Sequence, residues 1–255
     1  MRIKLVSLEK SSANQLNADL LSTIANSIGN YGEYEIVTSQ PDLLHVFASW
    51  NATTERTIKK FKNKGIPVVL TSINGLADLL ASPHPLHPSA FHCCGPSEAK
   101  LIKRVAPEIP ISIIACPLFT STTDTNRMLK AISDLYNNVY DAHDTNVKDR
   151  IQRTIDQLDC NDNTIKRLCS LLLYLQYSYK REVIRQSFLN EIASEFIHSD
   201  YDEDIMRQAL DALKIYEFSA SAMALLEQLT PLTEGFMPIP ASTDKLTDKM
   251  QKLTI

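Results

Sequence analysis

A chain of 255 residues with 44% hydrophobic and 22% charged residues has ordinary globular usage, which excludes disordered and fibrous classes and leaves room for two modest domains with their own cores. Its formal net charge of -4 supplies no global pull toward phosphate backbones or anionic lipid, so nucleic acid is not an expected partner. No stretch approaches the roughly 18 apolar residues of a membrane span, and the N-terminal MRIKLVSLEK reads as a first strand rather than a secretory segment. Five cysteines without CxxC spacing predict reduced, mostly buried thiols and, with the absence of a span, a cytoplasmic protein.

In chain order, residues 2–7 form a short apolar run. Leu16, Leu20, Leu21, Ile24 and Ile28 follow at helical spacing, closed by Gly29. Residues 33–37 predict a second strand, and the nearly continuous apolar DLLHVF at 42–47 a third, buried on both faces. Thr53 or Thr54 is the expected cap of a helix that turns Ile58 and Phe61 inward and Lys59, Lys60, Lys62 and Lys64 outward, with Gly65 at its end. Residues 66–71 supply strand four, 91–94 and 111–115 two more, with a helix between them that Ser97 caps and Pro107 and Pro110 terminate. Strands joined by helical crossovers predict an α/β Rossmann-like parallel sheet of five or six strands with helices on both faces. From Thr123 onward only helical spacing recurs. The chain therefore divides into a Rossmann-like domain at 1–120, an all-helical C-terminal domain at 121–237 and a loosely held tail at 238–255.

Three passages of the first half, in order, are Pro41-Asp42-Leu43-Leu44-His45-Val46-Phe47, Lys64-Gly65-Ile66-Pro67-Val68-Val69-Leu70-Thr71 and Cys94-Gly95-Pro96-Ser97-Glu98-Ala99. They resemble the PDvvHvH strand, the kGiPvvlT strand and the S-x-x-E helix start of the acceptor-side domain in family 4 GT-B glycosyltransferases. The likeness covers about the first 120 residues, without the donor domain. The departures matter. The turn after strand one, Ser7-Leu8-Glu9-Lys10-Ser11-Ser12, lacks the family's glycines, and Asn74 stands where the family's turn carries a histidine. An amide binds a hydroxyl but cannot take its proton near neutral pH. Near the C-terminus Glu234-Gly235-Phe236-Met237-Pro238 is similar to the family's EGFG donor loop, yet Ser242 occupies the place of the second glutamate. The plainer reading is a turn after a helix with Phe236 packed inward.

The resemblance implies a glycosyltransferase-like protein of glycan or surface polysaccharide assembly. It would be a noncatalytic or partner-dependent acceptor-side half, joined to a transferase partner or a homo-oligomer through its helical part. The alternative is an α/β binding or scaffold module with a helical oligomerisation domain and no carbohydrate role. Ligand-binding candidates are Glu9, Lys10, Trp50, Asn51, Ser72 and Asn74, all at carboxyl ends of predicted strands, where open α/β sheets bind ligands. Trp50 offers an indole face for a sugar ring, or else packs on a neighbouring helix. No catalytic residue, cofactor or metal is expected: His84, His87, His92, Cys93 and Cys94 lie on a proline-constrained loop and a buried strand, and His45 reads as a hydrogen-bonded core residue.

Overall fold

The computed structural model describes residues 1–8, 15–71, 87–115 and 122–255. Six strands, β1 (Arg2–Ser7), β2 (Glu35–Ile36), β3 (Leu43–Phe47), β4 (Val68–Thr71), β5 (Ala90–Cys93) and β6 (Ile111–Ile113), form one parallel sheet in the order β2-β1-β3-β4-β5-β6. β1 and β3 pair along their length from Ile3↔Leu43 to Ser7↔Phe47, and all five residues of β3 are buried, as its unbroken apolar run requires.

The helices around this sheet are α1 (Gln15–Ser27), α2 (Ala52–Asn63), α3 (Pro96–Val105) and the first part of α4 (Thr122–Asp156). Side chains alternate across the pleat. Leu43, Phe47, Val69 and Ala90 meet Leu20 and Ile24 of α1 and Met128, Ile132 and Tyr136 of α4. Leu44, Val46, Val68, Leu70 and Phe91 meet Ile58 of α2 and Ala99 and Ile102 of α3 on the other face. Ile58 and Ile102 are fully buried, about 1.5–3 kcal/mol of hydrophobic stabilisation each.

Both predicted caps shift. Asn51, not Thr53 or Thr54, caps α2, its Oδ1 accepting from Thr53 N and Thr54 N at 2.9 and 3.0 Å. Gly95, not Ser97, is the cap residue of α3, with Pro96 at the first turn, where a missing N–H costs nothing.

The chain divides into compact units at Met1–Asp144 and Thr145–Ile255, which corrects the boundary expected at 120/121. α4 is one unbroken helix of 35 residues. Its residues Met128, Leu129, Ile132, Leu135 and Tyr136 belong to the core of the sheet, whereas Ile155 belongs to the helical core.

The second unit continues with α5 (Asn163–Lys180), α6 (Gln186–His198), α7 (Glu203–Ala212), α8 (Tyr216–Leu229) and α9 (Lys245–Leu253). Residues 218–226 of α8 are all buried, so this helix is the centre of the unit, and its Ser-Ala-Ser-Ala run lets α5, α6, α7 and α9 approach closely. The tail expected to be loose is ordered instead. Ser242 N donates to Ala220 O at 2.9 Å, Asp244 and Thr247 form a capping box, and Met250 is fully buried. Leu246, Met250 and Leu253 stand at helical spacing in that polar run, a short signal that the charged residues around it conceal.

Candidate functional site

The strand order reverses between β1 and β3, so the carboxyl ends of those strands and of β4 are where a doubly wound sheet opens a crevice. Of the predicted ligand-binding residues, Glu9, Lys10, Ser72 and Asn74 lie outside the described residues. Trp50 and Asn51 follow β3 directly, and both are committed to the fold. Trp50 is 4% exposed and shares a cluster with Ile58, Leu70 and Phe91, so its indole presents no open face. The carbonyl of the Asn51 side chain is taken by the α2 cap, and its amide reaches Ser49 O at 3.3 Å. The helix-packing reading of Trp50 replaces the sugar-platform reading, because an apolar ring beside α2 gains more from burial than from solvent.

Beneath this end of the sheet lies a buried polar chain that sequence reasoning saw only at His45. Tyr136 Oη lies 2.6 Å from His45 Nδ1, His45 Nε2 2.7 Å from Thr71 Oγ1, Thr71 Oγ1 2.7 Å from His92 Nδ1, and His92 Nε2 3.0 Å from Ile114 O. The pleat explains the gathering. His45, Thr71 and His92 sit on one face of adjacent strands, with Thr71 and His92 in direct register, and Tyr136 descends from α4.

The direction of every bond follows from its far end. A carbonyl only accepts, so His92 Nε2 carries a proton; the neutral ring then accepts at Nδ1 from the Thr71 hydroxyl. Thr71 in turn accepts from His45 Nε2–H, and His45 Nδ1 accepts from Tyr136 O–H. Burial lowers His45 well below the usual histidine range and His92 to about 4, and raises the Tyr136 phenol, so all three are neutral near pH 7. A chain that ends on an amide carbonyl and is sealed from solvent transfers no proton. It fastens β3, β4, β5, the residue after β6 and α4 together.

The histidine and cysteine cluster does not converge. Both ring nitrogens of His92 are engaged, Cys93 is a free buried thiol pushed up to about 12 by burial and the Glu98 charge, and Cys94 is disulfide-bonded, against the expectation of reduced thiols throughout. His84 lies outside the described residues. Glu98 Oε2 accepts from Cys94 N at 2.9 Å at the start of α3, and burial raises its pKa. On α2, Lys59, Lys60 and Lys62 are exposed as expected, and Lys62 Nζ also donates to His87 O at 2.7 Å.

Glu234 is exposed on a single 3-10 turn after α8. Phe236 does not pack inward: it is 45% exposed, and Met237 and Ile239 fill the core in its place. In the same unit residues of α4, α5 and α6, among them Ile151, Leu171, Tyr174 and Phe188, line an open groove of about 490 Å³. No family model matches the chain, and no curated protein matches it.

Proposed function

We propose that this chain is a glycosyltransferase-like protein of glycan or surface polysaccharide assembly, the acceptor-side half of a transferase that acts with a partner chain in the cytoplasm. The observation that carries the reading is the order of the three passages on the sheet: Pro41 to Phe47 ends as β3, Lys64 to Thr71 leads into and forms β4, and Cys94 to Ala99 opens α3. Consecutive parallel strands and a helix start, in the sequence order of the resemblance, favour a common architecture over three chance matches.

In this reading transfer requires a donor domain supplied by the partner. Stabilising the leaving diphosphate takes basic groups, helix N-termini and a carboxylate on a second Rossmann-like domain. Beyond α4 the described residues form helices and a single bridge, Ile184↔Thr254. Acceptor contact in this reading falls on Glu9, Lys10, Ser72 and Asn74, which follow β1 and β4 in sequence. Calorimetry of the full chain with UDP- and GDP-sugars is expected to give no heat, and transfer to appear only with a chain supplying a donor domain. A donor Kd below about 100 μM, near 5.5 kcal/mol of binding free energy, overturns the reading.

A further inference from the structure

We propose that the outward face of α2 and α3 docks this chain on a bilayer that bears anionic lipid headgroups. The inference rests on the charge and burial pattern of the two helices and holds whether or not the acceptor-half reading stands.

Both helices carry one pattern. Ile58 of α2 and Ala99 and Ile102 of α3 are buried against the same side of the sheet. Arg56, Lys59 and Lys60 on α2, and Lys100, Lys103 and Arg104 on α3, recur at i, i+3 and i+4 and are exposed on the opposite side of their helices. The side chains of these six have no ion-pair or hydrogen-bond partner among the described residues. The carboxylates of the two helices are Glu55 and Glu98, both half-buried, and Glu98 accepts from Cys94 N. Solvated surfaces intersperse both signs, whereas here one sign is gathered on one face of a chain whose formal net charge is -4. Because α2 and α3 stand on the same side of β3 to β6, that face is four strands wide, about 15 Å at the usual strand spacing, and the fields of its cations overlap at the ~10 Å screening length of dilute salt.

The kind of anion follows from what the face lacks. Protein interfaces favour arginine and aromatic anchors and are depleted in lysine, but four of the six cations are lysines, and Phe61, the aromatic residue of these helices, packs toward the sheet core. Without an exposed ring there is no stacking platform for a single-stranded nucleic acid. Helices laid side by side on a sheet do not enter a duplex groove either. A broad, sheet-backed layer of lysine and arginine matches a planar array of headgroup phosphates, where each such residue near the surface strengthens binding by about fivefold. No large apolar side chain of either helix is exposed, so the contact is electrostatic and reversed by salt.

The test is co-sedimentation of the full chain with vesicles of phosphatidylcholine alone and of phosphatidylcholine with about one third phosphatidylglycerol, with duplex DNA and polyglutamate as parallel ligands. At low salt the chain is expected to partition onto the anionic vesicles by about tenfold or more over the neutral ones, and to be released at about 0.5 M salt. Lys59→Gln, Lys60→Gln and Lys103→Gln combined should lose about tenfold to hundredfold. The triple variant Lys130→Gln, Lys214→Gln and Lys252→Gln, which removes as many exposed lysines outside the two helices, should stay within about twofold. Trp50 fluorescence checks that both variants are folded. Equal partition onto the two kinds of vesicle, equal losses in the two triple variants, or tighter binding of DNA or polyglutamate at equal anionic charge overturns the proposal. Donor calorimetry involves no vesicles, so failure of the acceptor-half reading and failure of this docking face are told apart.

Discussion

Thr71 is the smallest member of the buried polar chain and the one with most at stake, since its hydroxyl serves both His45 and His92. Thr71→Val keeps the shape but strands a donor on one imidazole and an acceptor on the other. At about 1–3 kcal/mol for each of the two unsatisfied buried groups, the expected loss is about 2–6 kcal/mol. Trp50, the only tryptophan and buried in the same unit, supplies the fluorescence signal for a urea titration. The same histidines make this unit acid-sensitive. His92 lies at about 4 in the folded chain against the ordinary histidine value of about 6.5, so the unfolded state binds more protons between those pH values. Stability is therefore full above about pH 6.5 and falls as pH drops toward 4, by about 3 kcal/mol from His92 alone, with His45 adding in the same direction. Urea midpoints at pH 7.5 and 5 check the sign; a midpoint that rises on acidification contradicts it. His45 was readable as a core histidine because it interrupts an apolar strand. Thr71 and Tyr136 were not, since a threonine ending a strand and a tyrosine on a helical stripe look the same whether or not they meet a partner.

Among the elements, α9 shows how little signal a packed helix needs. Asp244 Oδ1 accepts from Leu246 N and Thr247 N at 2.8 and 3.0 Å, and these bonds hold its carboxyl below the ordinary aspartate value. Asp244→Ala is expected to lower the melting temperature slightly, and Met250→Ala, which empties a fully buried position, to cost about 2–5 kcal/mol, in the thermal unfolding of helical signal by circular dichroism. Equal small losses for both would mean that the tail is held weakly after all. Ile184 N donates to Leu253 O and Ile255 N to Ile184 O at the C-terminal end of α9, and Ser242 N to Ala220 O just before its start, so the helix is tied at both ends. α8 presents the opposite case. Its continuous apolar and small residues were legible as a helix, but a helix apolar all round is recognised as the central one only when its neighbours are counted.

Across the whole molecule, ligand chemistry is distributed differently from what the residue types suggest. Histidine and cysteine concentrate in one stretch, yet His92 spends both nitrogens on the sheet and Cys93 stays protonated, so chelation is expected to leave the melting temperature unchanged and elemental analysis to find well under one equivalent of zinc. A drop of several degrees with EDTA contradicts this. Among the described residues no helix is long and apolar enough to cross a membrane. The parallel sheet, the helices on both its faces and the helical second half were determined by the sequence alone, because periods of two and 3.6 in apolar residues and breaks at Gly and Pro are local properties. The unit boundary, the fate of Trp50 and the polar chain were decided only in three dimensions. Each depends on which of two cores a stripe of α4 reaches, or on side chains from distant segments meeting, and neither is encoded in the spacing along one element.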